Sequence, residues 1–506
     1  MKRITDNRLI LSLILYILLF IFCLPFYRYV FDVDGIGYIG AAKQYLAGNF
    51  KLAVNGYWPP LHSWIIVPFM KMGILPEDAL RYSNGLIGIG SIFVLNRLIN
   101  KVDITVSLKT GILFTAVVIL LHYTFYELAA DMLLVFLLVL LFNLVLRKDF
   151  YTNSYSNAIA GMIGAFAFFA KSYAFPFFIV YFILLHLFFN TNRSKKTYHI
   201  LLGLTVFFLI SIPWIYLLHW KYGEWMIAYG KNNYGNWDAK FRDMSGPLLI
   251  GPPYTGSPGI WEDPWKVYNL NFTHANTSTL ILHQIRIILF NIQQWFKCIH
   301  DLSFFSSSIL FISFIYYIKE KNRFWLFLLI SVLALSGGYL LLHIETRFIW
   351  GLTFLFLIAG SLLLSKLLQE VKMYVWQRTA VWLIFFGSFL VEPLNNLKDN
   401  LNANWDIYKT VETIKKESIN GSFTGNTKQG SSMIIAYLSN NPYFTVMKPA
   451  FTTEELITEM NDRKIRYYFY YYQSQEQKEE FLSGKIVSRS LQTKELEPGL
   501  LVSIFY

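Results

Sequence analysis

Asp32 and Asp34 stand two residues apart in FDVDGIGYIGAAKQYLAGN, directly after a long apolar run. Two carboxylates spaced this way can act on one substrate. One accepts a proton from an attacking hydroxyl, while the other helps to hold a sugar or a divalent cation such as Mg or Mn. The same residues also suit a helix start, with Asp34 capping a helix that begins near Gly35. Other charges lie where apolar runs end: Arg81 in EDALRYSNGLIG, Asp131 in ADMLLVFLLVLLF, Lys171 in FAKSYAFPF, and Glu345 and Arg347 in HIETRFIWG. Glu127 and Asp131 are four apart and share a helix face. A carboxylate facing lipid costs roughly 2.5–3.5 kcal/mol, so Asp131 should face a bundle interior or a wet cavity. Lysine and arginine match phosphate well, and together Arg81, Lys171 and Arg347 suit an anionic lipid head. Taken singly, each can be a helix-end residue that snorkels to the headgroups. His62, after Pro59 and Pro60, could contact a sugar or phosphate, or simply sit at the membrane interface.

These charges need a scaffold, and the composition points to a membrane. Of 506 residues, 55% are hydrophobic and only 15% charged, and the mean hydropathy is +0.41. A soluble chain carries about a quarter charged residues. Runs long enough to cross a ~30 Å hydrocarbon layer fall at roughly 9–31, 79–98, 104–122, 125–146, 157–172, 173–190, 198–219, 301–318, 324–343, 347–366 and 375–392. The expectation is an all-α polytopic protein with about eleven spans. The first run is too long for a cleaved leader and lacks an A-x-A site, so it reads as an uncleaved anchor. Lys2, Arg3, Arg8, Arg97, Lys101, Arg147, Lys148, Arg193, Lys195, Lys196, Lys319, Lys321, Arg323, Lys366, Lys372 and Arg378 fall in alternate loops. The positive-inside rule then places the N-terminus in the cytoplasm of a plasma-membrane protein and the C-terminus outside. Topogenic lysine and arginine also account for the net charge of +12 without nucleic acid as a partner. Two cysteines, Cys23 and Cys298, make no disulfide framework and no zinc site.

On this path the outer side holds the 32–78 loop, the 220–300 loop and everything beyond about 393. Gly35 to Ala47 and WPPLHSWIIVPFMKM read as two short helices along the outer interface, and STLILHQIRIILFNIQQWFKCIH as a longer amphipathic one. The expected division is a membrane module over 1–392 and a small extracytoplasmic α/β domain over 393–506. In that domain NWDIYKTVETIKKE and TTEELITEMNDRK are predicted helices, the second with a capping box from Thr452 to Glu455. SSMIIAYLS, IRYYFYYYQ and LLVSIFY are predicted strands. The glycine-rich FTGNTKQGSS lacks the G-K-[ST] ending of a phosphate loop and reads as a plain loop.

The segment from Asp32 to Met72 resembles the first outer loop of the GT-C superfamily of membrane glycosyltransferases, which includes the protein O-mannosyltransferases and the aminoarabinose lipid A transferases. Asp34, Tyr38 and Ala42 fall on the family's acidic motif and first interfacial helix, and Pro59-Pro60-Leu61 on its proline motif. Arg81, Asp131, Lys171 and Arg347 are similar to its later helix-end motifs, and the resemblance covers about residues 9 to 370. There are two departures. Many relatives have adjacent Asp-Glu where this chain has Asp34-Gly35, and Trp58 replaces a lysine often found before the proline pair. Asp32 could fill the missing acidic role from two residues upstream.

The resemblance implies an inverting transfer of a sugar from a polyprenyl-phosphate donor to a glycan, lipid or protein acceptor. Asp34 or else Asp32 would be the base, with Asp32 and Asp34 as conceivable metal ligands. Arg81, Asp131, Lys171, Arg347, Glu345, His62 and Tyr38 would line the substrate site, the cations stabilising the leaving phosphate. Acidic and basic groups from distant segments should then share one pocket at the outer rim. The alternative is a transporter or lipid flippase with a charged outer vestibule. Charges at one face, and not at the bilayer midplane, favour chemistry. The long 220–300 loop should shape acceptor choice.

Overall fold

The computed structural model describes residues 7–190, 193–228, 247–265, 277–426, 429–448 and 450–506. Lys2 and Arg3 lie outside them, as does much of the 220–300 loop. The chain divides into two compact units. The first holds 1–28, 59–227 and 276–401, and the second 29–58, 228–275 and 402–506.

The first unit is helical. Every predicted span coincides with a helix, and among the described residues four helices are long and apolar enough to cross a membrane: Val106–Tyr126, Lys195–Tyr222, Arg323–Leu341 and Thr346–Glu370. The number becomes six if two bent pairs each make one span. Ile281–Leu302 with Ser306–Glu320 bends by 98°, and Val375–Ser388 with Val391–Asp399 by 47°. The chain is a multi-pass membrane protein, with a span count below the expected eleven on these criteria.

The shortfall has local causes. Asn7–Cys23 stops well before residue 31 because Pro25 follows, and the residue before a proline avoids the helical region. Asp131–Val145 begins late because Glu127 to Ala130 turn away from the preceding helix. At 1.5 Å per residue such a helix covers only about 22 Å. Glu77, Asp78 and Arg81 make the start of Pro76–Ile99 too polar. In Thr277–Leu302 the residues Ile281, Ile285, Leu289, Ile292 and Phe296 follow one another at three- and four-residue spacing and are all exposed. That apolar stripe is what an interfacial helix offers to lipid. Where helices meet closely, glycine permits it: a Cβ on Gly161 would stand 2.2 Å from the Gly203 carbonyl oxygen.

The second unit is α/β. Its strands are β1 (Leu249–Ile250), β2 (Phe423–Gly425), β3 (Thr445–Val446), β4 (Tyr467–Tyr471), β5 (Gln492–Glu497) and β6 (Leu500–Ile504). A four-stranded sheet runs β2-β4-β6-β5, and β1 pairs with β3. β2 is parallel to β4, with Phe423 opposite Tyr467, and β6 is antiparallel to both β4 and β5. The core on this sheet gathers Leu249, Leu456, Met460, Tyr468, Phe481 and Leu501.

Predicted helices appear at Trp405–Lys416 and Thr453–Asp462, and both bonds of the Thr452–Glu455 capping box form. SSMIIAYLS, expected as a strand, is instead the helix Gln429–Ser439. An apolar run this short carries no period that separates a buried helix from a buried strand, and Ser432 to Ala436 are all buried. Part of FTGNTKQGSS, expected as a loop, is β2. The unit is also discontinuous in sequence, unlike the expected 393–506 domain. Asn404 donates to the carbonyls of Tyr29 and Phe31, Tyr29 packs on Trp405 and Tyr408, and β1 pairs with β3. Residues 29–58 and 247–265 are thereby built into it.

Candidate active site

The acidic pair lies on the second unit, at the start of the helix Val33–Leu46. Asp32, and not Asp34, is the N-cap: its Oδ1 accepts from the Gly35 backbone N–H at 2.7 Å. The geometry decides this, because Val33 already has helical dihedrals and Asp34 lies in the first turn. The cap occupies an oxygen of Asp32 and stabilises its charge, which weakens it as a base. Asp34, half-buried one position inside the helix, is the better candidate.

This helix is clamped by Trp58 together with residues that the sequence did not single out, Asn55, Tyr254 and Glu262. Gly37 lets the Trp58 ring lie against the backbone, since a Cβ there would fall 2.3 Å from Trp58 Nε1. Trp58 Nε1 donates to the Trp261 carbonyl at 2.8 Å, and Asn55 Nδ2 to the Glu262 carbonyl at 2.6 Å. The tryptophan at the departure position is therefore a packing residue. Tyr38, a predicted substrate contact, is fully buried, with its ring 5.3 Å from Trp58. Gly40 makes room for the Glu262 carboxyl, and the Tyr254 hydroxyl donates to Glu262 Oε2. Burial pushes the Glu262 carboxyl up to about 7, against the pull of Tyr254, Ser257 and Lys43. A glutamate in the aromatic stretch GIWEDPW was the available signal for this group.

The predicted cations all lie in the first unit, and each is ion-paired. Lys171 Nζ is 2.9 Å from Asp131 Oδ2, with Asp131 2% exposed. Asp131 opens one helix and Lys171 follows the last residue of Ser154–Ala170. Each thus lies at the helix end whose dipole favours its charge. Arg347 is held between Glu345 (Nε to Oε2, 2.7 Å) and Glu127 (Nη1 to Oε1, 3.1 Å). Burial works against the Glu345 carboxylate. His343 and Arg347 outweigh it and hold the group down at about 2.

Aromatic rings join these two clusters. Tyr339 stacks on Tyr173, two residues from Lys171, at 3.7 Å, and on Phe348, the neighbour of Arg347, at 4.8 Å. Arg81 is nearly buried and engages Asp78 at 2.9 Å and the Arg28 carbonyl at 2.6 Å, so it ties the segment that follows the first helix to Pro76–Ile99. His62 is fully buried, 3.1 Å from Ser83 Oγ, and burial pushes it down to about 4. It is a neutral core histidine within the field of the Asp131–Lys171 pair.

Arg347 borders a cavity of about 740 Å³, whose wall also holds Glu127, Asp301, Glu345, Glu392, Lys297 and His122. His122 is 3% exposed, and neither ring nitrogen has a hydrogen-bond partner among the described residues. Four carboxylates against two cations make a wall rich in acceptors for hydroxyl groups. His122 and Asp301 escaped the sequence reading because both lie inside helices with no motif around them.

A divalent cation takes six or more oxygen ligands. Asp32 and Asp34 supply two carboxylates, one committed to the cap. Among the described residues no group of three or more His, Cys, Asp or Glu is placed to hold an ion. The described residues thus form no all-protein cage; a cation held by Asp34 or Asp32 would draw its other ligands from water and the substrate phosphate.

No protein-family profile matches the chain, and no curated protein does. Solved structures do. ArnT from Cupriavidus metallidurans, solved bound to undecaprenyl phosphate, matches with a TM-score of 0.58 at 11% identity, over 99% of this chain and 98% of that one. The oligosaccharyltransferase of Archaeoglobus fulgidus, solved with Zn and sulfate, matches with a TM-score of 0.55 at 12% identity, over 92% of this chain and 68% of that one. AglB from the same organism, solved with an inhibitory peptide and a dolichol-phosphate, gives 0.51 at 10% identity, over 92% and 69%. The chain shares the fold of these structures, in line with what the outer-loop resemblance implied.

Proposed function

We propose that this chain is an integral-membrane glycosyltransferase. It moves a hexosyl or pentosyl group from a polyprenyl-phosphate donor to a hydroxyl acceptor on a glycan, lipid or protein at the extracytoplasmic face, with inversion. The observation that carries the reading is the end-to-end likeness to ArnT, combined with an acidic helix start where the resemblance asks for the base. Asp34 removes the proton from the acceptor hydroxyl. The oxygen attacks the anomeric carbon, the bond from that carbon to the phosphate oxygen breaks, and the lipid phosphate leaves with the electron pair. Lys171 and Arg347 face the growing negative charge of that phosphate. Arg81, engaged by Asp78 and a backbone carbonyl, positions the helix that carries it. The acceptor-rich cavity beside Arg347 suits sugar hydroxyls. No step is assigned to a metal.

The test uses the full chain in nanodiscs with a radiolabelled polyprenyl-phosphate sugar, its identity first taken from mass spectrometry of surface glycans and glycolipids with and without the gene. Asp34→Asn should lower transfer by about 10²–10⁴-fold while leaving binding of polyprenyl phosphate unchanged. Asp32→Asn, which keeps a capping side chain, should cost far less. Full transfer by Asp34→Asn, or transport of the lipid with no sugar transferred, overturns the reading.

A further inference from the structure

We propose that a cleft at the C-terminal ends of β2 and β4 binds uncharged carbohydrate. The cleft measures about 630 Å³ and is lined by Asp406, Asn426, Tyr470, Tyr471, Gln473 and Gln477 among others, within the about 300–1,000 Å³ typical of small-molecule sites. β2 and β4 are parallel neighbours, and the carboxyl ends of parallel strands are where α/β sheets hold ligands. This site lies wholly in the C-terminal part of the second unit and does not depend on the transfer chemistry.

The lining is organised beforehand. The Asn426 side chain extends the ladder by two bonds to Tyr471, donating to its carbonyl at 2.9 Å and accepting from its N–H at 2.7 Å. The Tyr470 ring lies flat on Phe481, 3.9 Å away with 5° between planes. Gln477 Oε1 accepts from the Gln473 backbone N–H at 2.8 Å. Against this fixed frame the Tyr471 hydroxyl is buried and has no hydrogen-bond partner among the described residues. A buried hydroxyl in that state is costly, and a ligand hydroxyl would satisfy it.

The chemistry of the wall selects the ligand class. A sugar presents apolar C–H faces and vicinal hydroxyls that both donate and accept. Tyrosine rings match the former, and side-chain amides with a carboxylate match the latter. Asp406 is the one charged residue among the described lining, and Glu497 adds a second negative field at Tyr471. A phosphate or uronate would meet repulsion there. An extended peptide would look for a free strand edge. β4 lies between β2 and β6, and β2 bridges to Tyr443 on its other side.

The experiment measures saturation-transfer NMR on the full chain in detergent, with a panel of uncharged tetrasaccharides of glucose, mannose, galactose and N-acetylglucosamine. Polygalacturonate fragments and an unstructured polar peptide serve as competitors. At least one uncharged sugar should bind saturably, and Tyr471→Phe and Gln473→Ala should each weaken it about fivefold. The thermal unfolding temperature of Tyr471→Phe should be no lower than that of wild type, because the hydroxyl has no hydrogen-bond partner among the described residues to lose and its removal relieves the cost of burying it. Asp34→Asn should leave this binding unchanged, so the two proposals fail independently. No uncharged binder below about 10 mM, equal binding in both variants, or tighter binding of the anionic fragments or the peptide overturns the proposal.

Discussion

Replacing Lys171 by methionine separates what the Asp131–Lys171 pair does for the fold from what Lys171 does for transfer. The substitution keeps the length of the stem and removes the ammonium 2.9 Å from Asp131. Asp131, 2% exposed, is left as a buried charge. Breaking a buried pair in this way costs about 3–5 kcal/mol. Two features reduce the loss: the helix start at Asp131 stabilises a carboxylate by about 0.3–1 kcal/mol, and Lys171 is 18% exposed, so part of its field is already screened. The expected loss is roughly 2–4 kcal/mol. In Asp131→Asn/Lys171→Met both charges go, and most of that loss should return, because replacing a whole buried pair by neutral groups is close to neutral. Thermal unfolding in detergent reads the stability, and the radiolabelled transfer assay reads the chemistry. If Lys171 meets the leaving phosphate, the double variant regains stability and not transfer. A double variant as unstable as the single one refutes the coupling. One that also regains transfer refutes the chemical role.

Glu262 supplies a pH test. Its carboxyl stands at about 7 against an ordinary 4.5, so the folded chain keeps a proton that the unfolded chain has lost. The stability it contributes is complete below about pH 4.5 and lost as pH rises through 7, at most roughly 3 kcal/mol; Glu262→Gln should flatten that slope between about pH 4.5 and 7, and an unchanged slope places the titration elsewhere. Gly161→Ala puts a Cβ 2.2 Å from backbone and should cost about 1–3 kcal/mol by forcing two helices apart. Gly337→Ala, inside Arg323–Leu341 with nothing within 4 Å, should keep or raise the unfolding temperature through the better helix propensity of alanine, and equal shifts in the two refute the packing argument. Glu345→Gln removes one of the two carboxylates on Arg347 and should tighten binding of polyprenyl phosphate by about fivefold in an equilibrium binding assay; weaker binding would show that Glu345 orients Arg347 more than it competes for it.

Burial in a membrane writes itself strongly into sequence, which is why every predicted span came out as a helix. The ends of those helices are weaker signals: Pro25 and the Glu127–Ala130 turn each shortened a span that hydropathy alone extended. In the second unit the polar helices announced themselves through the Thr452 box and the amphipathic period of 405–416. Three-residue β2 and polar β5, QTKELE, carry too little apolar pattern to be read. The charges of the candidate site were legible because charge at a helix end near hydrocarbon needs a reason. Their partners were not, since Glu127 with Arg347 and Asp131 with Lys171 are set by helix packing across long stretches of chain. The choice of cap between Asp32 and Asp34 turned on whether Val33 is helical, a difference of one residue that two equally good capping types cannot reveal.

The pairing of the cations bears on how a lipid phosphate is handled in the proposed transfer. An ammonium or guanidinium placed alone near hydrocarbon would be expensive, and a carboxylate partner keeps it charged and oriented until a ligand arrives. An incoming phosphate must then compete with that partner, and the two cations differ in how they can respond. Arg347 has a rigid planar fork of five N–H donors, and contacts to Glu345 and Glu127 fix its plane. It can meet a further anion without turning. Lys171 is a point charge on a flexible stem beside a single carboxylate, and it must share or leave Asp131 to reach an oxygen. The helix start at Asp131 makes that departure tolerable, because the backbone amides go on stabilising the carboxylate. Arg347 is thus suited to hold the phosphate in the ground state. Lys171 is suited to strengthen its contact as the anomeric bond breaks and charge builds on the leaving oxygen, the one kind of contact that raises the rate of the chemical step.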